Sequence, residues 1–596
     1  MTRIVTILVV NLLYFAFLWD VAAASGIGYA QNPVTYTLGN PITPNTASFT
    51  GTPTNFSISP ALPDGMAIEP KSGTIQGRPT QIIDTTTYTV SAKLPQGPIT
   101  GSLTLGIGDA TIAYYVDDTN GNDSWDGHTP STAWRSLQKV NNTPLKPGTS
   151  VRFKRGGVWR GQLRIQSGSA AAALYYDAYG TGPSPVILGS MNARNPSSWQ
   201  AIGGNLWQST ATFQPQPGYT NGLPYNNAND VGNIIYGPTG TQQFGLVNPP
   251  KTGVEKWSQN LLNNPGDFFF RTTDYRVILY STSNPAMAFP GIELAIDADL
   301  MNITFASHAY VQHLALRYGA GCGINGWSTS NLTFRDLDIS YIGGGNLGGS
   351  GTRYGNGIQF WTNTRNNLVE RSRIWQIYDD GITNQASANG AVQYNITYRN
   401  NIIWNSAGTC IGMWENGANS TMSNIYVYNN TCVSPNGWAV NQRPSGNHQF
   451  SLVVGMTPPN FIGYNISFMN NEFVNIKGCN ILAQGTYYSW KYTLNMDYDD
   501  FLRDPSLGGV SNTVVCESSD GKYQKISRWA PAFPVETHGI EAQPAFANAT
   551  TGDFHSITGS PIINAGANLT SVGVVLDFDR KPRPATGAFD IGAFQH

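Results

Sequence analysis

Three stretches decide the fold when laid over one another: LVERSRIWQIYDDGITNQ (Leu368–Gln385), YRNNIIWNSAGTCIGMW (Tyr398–Trp414) and VYNNTCV (Val427–Val433). Val369, Tyr398 and Val427 share one column, Ser372, Asn401 and Asn430 a second, and Ile374, Ile403 and Cys432 a third. Working outward, the apolar columns extend to Val311, Phe334 and Phe468, and to Leu316, Ile339 and Phe473. The polar column begins as Leu314 and Leu337 and ends at Asn471. Eight positions beyond the third column stand Ile324, Ile382, Ile411, Val440 and Ile481; Ile358 breaks the offset because GGGNLGGSGTRYG (Gly343–Gly355) intervenes.

Two short alternating strands per repeat, joined by a polar turn at fixed offset, describe one coil of a parallel β-helix. Coils about 4.8 Å apart pile their inward residues into aliphatic ladders, and stacked Asn in the turn satisfies backbone groups from coil to coil. A one-residue slip would turn such a ladder inside out. The expected fold is all-β.

Composition agrees. The 596 residues carry 34 Lys+Arg against 36 Asp+Glu, and only 12% are charged. No basic stripe is available for a phosphate backbone, so nucleic acid is not an expected partner. With 15 Trp and 29 Tyr, the chain is too aromatic to be disordered. The profile suits an exported protein that handles neutral polar matter such as sugar. Arg3, the apolar run Ile4–Trp19 and the small residues Ala22–Ser25 read as a secretory signal over residues 1–25. The protein is therefore expected to be secreted, periplasmic or at the cell surface, with no membrane span after signal removal. Of the five cysteines, none shows metal-ligand spacing, and those in register with the repeat read as small buried hydrophobes. Oligomeric state has no signature in the sequence.

Residues 31–108 read as short strands separated by Pro, Gly and Asp turns. FSISPALPDGMAIEPKSGTIQGRPT (Phe56–Thr80) with YTVSA at Tyr88 resembles the immunoglobulin-like β-sandwich modules of bacterial surface and secreted enzymes. YYVDDTNGNDSWDGHTPSTAWRSLQKVN (Tyr114–Asn141) resembles the opening and helical cap of right-handed parallel β-helix proteins of the pectate-lyase-like superfamily. LNNPGDFFFRTTDYRVILYS (Leu262–Ser281) is similar to a hairpin that precedes the coils in β-helix glycosidases, and SPIINAG (Ser560–Gly566) with DFDRKPRPATGAFDIGAF (Asp577–Phe594) to their closing segment. The resemblance implies a right-handed parallel β-helix over 110–596, with an insert at about 195–290 and a closing segment at about 541–596.

The second strands align as GINGW, GIQFW, GITNQ, CIGMW and AVNQR, starting at Gly323, Gly357, Gly381, Cys410 and Ala439. With the Ile/Val position inward, the outward columns read Asn325, Gln359, Thr383, Gly412, Asn441 and Trp327, Trp361, Gln385, Trp414, Arg443. A solvent-facing file of indoles and amides is a stacking platform for pyranose faces. The alternative is that these Trp pack beneath loops.

Asp379-Asp380-Gly381-Ile382 resembles the Asp-Asp before a Cys-Ile or Gly-Ile strand in polygalacturonase-type glycosidases, where the pair implies a general acid and base. That family places another Asp one coil earlier and a His one coil later; this chain has Asn356 and Thr409 there. Glu415 is a further candidate carboxylate. A straight strand would put it roughly 20 Å from Asp380, so it is assigned to another subsite or to Arg443. The expected activity is glycoside hydrolysis of a polysaccharide without a cofactor, with Trp327, Arg353, Asn356, Gln359, Trp361, Tyr378, Gln385, Trp414, Asn441 and Arg443 as binding residues. A uronate lyase remains an alternative, with Arg353, Tyr354, Tyr378, Arg443, His448 and Lys477 available as base or cation, and Ca²⁺. So does a non-catalytic glycan-binding protein. The Asp117–Asp126 stretch is read as a cap turn rather than a Ca²⁺ loop.

Overall fold

The computed structural model describes residues 26–213, 230–236, 243–244, 246–247, 259–296, 298–346, 353–433, 450–455, 460–476, 481–483, 494–503, 515–517 and 536–596. The chain divides into two compact units, residues 1–109 and 110–596.

The first unit is a small β module beginning at Gly28–Tyr29. Its four-stranded sheet runs in the order Val34–Thr37, Gly97–Gly108, Ile83–Leu94, Thr54–Ser59. Two-stranded pairs, Gly28–Tyr29 with Ala47–Ser48 and Met66–Ile68 with Ile75–Gly77, accompany it. Alternation along these strands buries Phe56, Tyr88, Val90, Leu103 and Leu105.

The second unit is a three-sheet parallel β-helix. The first sheet has ten strands, from Ile112–Val116 to Leu494–Asp497; the second has nine, from Val158–Arg160 to Asp500–Arg503; the third has nine, from Leu163–Arg164 to Val515–Glu517. Each coil contributes one strand to each sheet. In the first sheet Val311, Phe334, Val369, Tyr398, Val427 and Phe468 pair rung to rung. In the second, Leu316, Ile339, Ile374, Ile403, Cys432 and Phe473 do the same. All twelve are fully buried, and each large aliphatic contributes about 1.5–3 kcal/mol by leaving water.

The turn between first and second sheets explains the Asn-Asn pairs. Arg371, Asn400, Asn429 and Asn470 take left-handed φ values of 49°, 52°, 53° and 59°, a conformation that Asn tolerates better than most residues. The residue after each builds a buried ladder. Asn401 donates its backbone N–H and its Nδ2 to Asn430 Oδ1, both at 3.0 Å. Asn430 repeats this on Asn471 at 3.1 and 3.0 Å, and Asp499 closes the series by accepting from Asn471.

The third sheet holds to Ile324, Ile358, Ile382 and Ile411, then departs from expectation. Ile411 pairs with Leu452, not Val440. Extra chain, residues 434–449, enters between Thr431–Val433 of the second sheet and Phe450–Gly455 of the third. The AVNQR motif, with Asn441 and Arg443, lies in that segment and so outside the described residues. Beyond it, Ile481 regains the ladder by pairing with Leu452.

Helix Leu137–Asn142 opens the coil stack, its N-terminus capped by the Ser136 hydroxyl; Leu137 and Val140 enter the core. The Asp-rich stretch before it is spent on turns. Asp117 accepts from two backbone N–H groups and from Lys154 Nζ, and Asp123 accepts from Arg135 N, Ser136 N and Ser136 Oγ. Between the strands Val186–Leu188 and Met301–Asn302 an insert forms two further sheets over a core of its own. It includes the antiparallel hairpin of Asp267–Arg271 and Arg276–Tyr280. The two cysteines Cys410 and Cys432, expected as hydrophobes, form a disulfide linking the third sheet to the second across the interior; Cys322 is a buried free thiol.

Candidate active site on the outer face of the third sheet

A corner precedes each third-sheet strand, and it sets which side chains look outward. At Gly323, Gly357 and Gly381 a Cβ would point inward, within 2.7 Å of the Cγ2 of Ile339, Ile374 and Ile403 respectively. The residue before each corner glycine, and every second residue after the first inward aliphatic, then faces out. Three outward files result: Asp299, Cys322, Asn356, Asp380, Thr409; then Asn325, Gln359, Thr383, Gly412; then Trp327, Trp361, Gln385, Trp414. Every member of the third file is half-buried.

Asp380 is the best-held acid in the first file. Its Oδ1 accepts from Thr409 N at 2.9 Å and from Thr409 Oγ1 at 2.7 Å, and its backbone N–H donates to Asn356 Oδ1 at 2.9 Å. Its other oxygen overhangs Gly412. A Cβ on Gly412 would lie 2.8 Å from Asp380 Oδ2, 3.1 Å from Trp414 Nε1 and 3.2 Å from Thr383 Oγ1. A carboxylate oxygen, an indole N–H and a hydroxyl thus close over Gly412, where there is no room for a side chain; Asp380 and Thr383 are themselves buried. The Thr383 hydroxyl has no hydrogen-bond partner among the described residues. Asp379, half-buried, turns toward the same corner: its Oδ1 and that of Asp380 lie 2.8 and 2.7 Å from the point where a Cβ on Gly408 would stand. The two oxygens are therefore no farther apart than about twice that distance.

Asn356 and Gln359 form the floor rather than free contacts. Asn356 Nδ2 donates to Gln359 Oε1 at 2.7 Å, and the Cys322 thiol donates to the same oxygen at 3.3 Å. The chain of bonds continues to Asp299, which accepts from Cys322 N and from Asn325 Nδ2. Burial pushes the Asp299 carboxyl up to about 6. Asp299 was not anticipated; the signal is its place two residues before Met301, the inward partner of Ile324.

Three expected site residues lie elsewhere. Glu415 is buried on the inner side of its strand, because alternation from Ile411 and Met413 carries it inward. Its Oε1 accepts from Gly417 N at 3.2 Å, and burial raises its pKa to about 7. It shares no face with Asp380. Arg353 is buried against the insert, 3.2 Å from Asp230 and bonded to the carbonyls of Gly344 and Gly232. Tyr378 is 1% exposed, and its Cβ lies 2.4 Å from where a Cβ on Gly343 would be. Neither can touch a ligand in this groove.

No protein-family model matches the chain. Over 121 residues it is 30% identical to the lacto-N-biosidase of Bifidobacterium longum subsp. longum, a stretch covering 19% of this chain and 8% of that protein. Among solved structures, a glycoside hydrolase superposes with a TM-score of 0.39 at 10% identity, over 69% of this chain and 90% of that one. The GH136 lacto-N-biosidase from Eubacterium ramulus gives 0.36 at 14% identity, over 72% and 67%. Pectate lyase Pel9A gives 0.35 at 12% identity, over 82% and 97%. The register of its own three parallel sheets makes this chain a parallel β-helix.

Proposed function

We propose that this protein is an exported glycoside hydrolase whose polysaccharide substrate lies along the outer face of the third sheet. One observation carries the reading: Asp380 Oδ2, Thr383 Oγ1 and Trp414 Nε1 gather over Gly412, beside a register-locked file of half-buried indoles. Flat rings stack on sugar faces, and Asp380 is the carboxylate set beside them. Separations of about 5–5.5 Å between paired carboxyls mark retaining enzymes, and roughly 6.5–9.5 Å inverting ones. The closeness of Asp379 to Asp380 favours the retaining course. Asp380 attacks the anomeric carbon while Asp379 gives its proton to the departing oxygen; water then cleaves the glycosyl ester and returns the proton. The lacto-N-biosidase likeness supports glycoside hydrolysis, and the Cys410–Cys432 disulfide supports an oxidising compartment outside the cytosol.

Reducing-end release from a polysaccharide panel tests this. Asp380→Asn should lower turnover by about 10²–10⁴-fold, with substrate affinity retained. Equal turnover in both proteins overturns the assignment. A second reading, glycan binding without turnover, is favoured by Asn356 and Thr409, which occupy the polygalacturonase Asp and His positions and are engaged with Asp380 itself. It predicts retention in glycan gels and no reducing ends from either protein. For the lyase reading, Arg353 and Tyr378 are buried away from the groove, while Arg443, His448 and Lys477 lie outside the described residues.

A further inference from the structure

The outer face of the first sheet carries a cleft of about 480 Å³, within the same coils as Asp380 but on a different sheet. That size falls in the roughly 300–1,000 Å³ range of ligand clefts. Its floor is the outward file Leu368, Thr397, Tyr426, paired rung to rung. Val572 of the closing segment, half exposed at 51%, stands on its rim. The wall behind is fixed, because Leu569, Val574 and Phe589 of the closing segment pack with Tyr428.

The chemistry of the lining is specific. Tyr426 presents a half-buried ring, 5.8 Å from that of Tyr428. Along one edge runs an outer amide ladder in left-handed backbone, Asn331, Asn366, Asn395, Asn424 and Asn465, with φ between 52° and 56°. Asn395 Nδ2 donates to Asn366 Oδ1 at 2.7 Å, and Asn465 Nδ2 donates to Asn424 Oδ1 at 2.6 Å. The ladder breaks between Asn395 and Asn424. Among the described residues, Asn395 Oδ1 and Asn424 Nδ2 have no hydrogen-bond partner. An acceptor and a donor thus stand one rung apart beside an aromatic ring. The one cation in the lining, Arg399, is held in place: it pairs with Glu370 at 2.8 Å, a carboxylate shared with Arg335 and Arg371, and donates to Gly573 O at 2.7 Å.

We propose that this cleft is a second, non-catalytic binding site for a neutral oligosaccharide segment. A pyranose stacks on Tyr426 while its hydroxyls close the gap between Asn395 and Asn424, so that polymer is held beside the groove on the neighbouring face. The proposal is independent of turnover at Asp380. Loss of activity in Asp380→Asn leaves it intact, and loss of retention in Tyr426→Ala leaves the hydrolase reading intact.

Affinity electrophoresis in native gels containing galactan, xylan or mixed-linkage β-glucan, with polygalacturonate as the acidic comparison, tests it. At least one neutral polymer should retard the parent protein and Asp380→Asn equally. Tyr426→Ala and Thr397→Trp, which fills the cleft without deleting packing, should each lower that retardation at least fivefold. Tyr426→Phe, which keeps the ring, should restore most of it. Melting curves of Thr397→Trp matching the parent separate lost binding from lost fold. Retardation unchanged in both cleft variants, or confined to polygalacturonate, or absent in every neutral polymer, overturns the proposal.

Discussion

Two files of tryptophan run up this β-helix, and they have different fates. On the second sheet Trp375 and Trp404 pair rung to rung and stack with ring centroids 5.0 Å apart and planes 1° from parallel. Tyr341 meets Trp375 edge-on at 4.8 Å, Phe554 of the closing segment meets Trp404 at 5.7 Å, and the Trp375 N–H is spent on Asp338. On the third sheet Trp327 pairs with Trp361, and Gln385 takes the next rung before Trp414. Their one described ring contact is Phe305 against Trp327 at 6.0 Å, and Trp414 sets its N–H over Gly412. Rung spacing is common to both files; what differs is whether another segment lies across the rings. Where the closing segment roofs the file, indoles stabilise the fold. Where nothing described roofs it, the same geometry is left for a ligand.

That contrast breaks if Trp404 proves dispensable. Trp404→Ala should cost about 3 kcal/mol of stability, read as a lower denaturant midpoint, with glycan affinity per folded molecule unchanged. Gly412→Ala should lower turnover by about ten- to a hundredfold, because the new methyl would stand 2.8 Å from Asp380 Oδ2 and displace the carboxylate. Trp414→Ala should weaken glycan binding by about 1 kcal/mol, roughly fivefold, with stability unchanged within about 0.5 kcal/mol. The reverse pattern, loss of stability without loss of binding, would make the third-sheet file structural too.

The smallest expected effect concerns the inside of the same strand. Burial raises the Glu415 pKa from 4.5 to about 7, so the folded state binds this proton more tightly than the unfolded chain. The stability it contributes is full below about pH 4.5 and is lost as pH climbs toward 7. Glu415→Gln should flatten that part of the pH–stability profile measured by thermal melts. An unchanged slope would mean that other buried carboxyls, such as Asp299 or Asp500, carry it.

Much of the fold was legible because side-chain direction along a strand is local. The two apolar columns of the first and second sheets and the Ser/Asn column needed only the repeat spacing. The third-sheet column failed at Val440 because AVNQR, within residues 434–449, has the pattern of a strand at the same offset as Ile382 to Ile411. Only pairing to Ile411 distinguishes it from Phe450–Gly455. The Trp file and Asp380 were legible for the same local reason. Glu415 was readable as inward from the alternation itself. Arg353 and Tyr378 were not readable, because Asp230 and Gly232 of the insert, which hold the first, and Gly343, which packs on the second, are far from them in the chain.

Sequence alone therefore determined the stacked coils, the inward ladders and the outward indoles, since each follows from period and strand alternation within one coil. Tertiary structure decided the rest: the inward turn at the corner glycines that swings Asp380 outward, the closing of Asp380, Thr383 and Trp414 over Gly412, and the choice of file that the closing segment covers. Those depend on contacts between coils and segments far apart in the chain, where local periodicity carries no information.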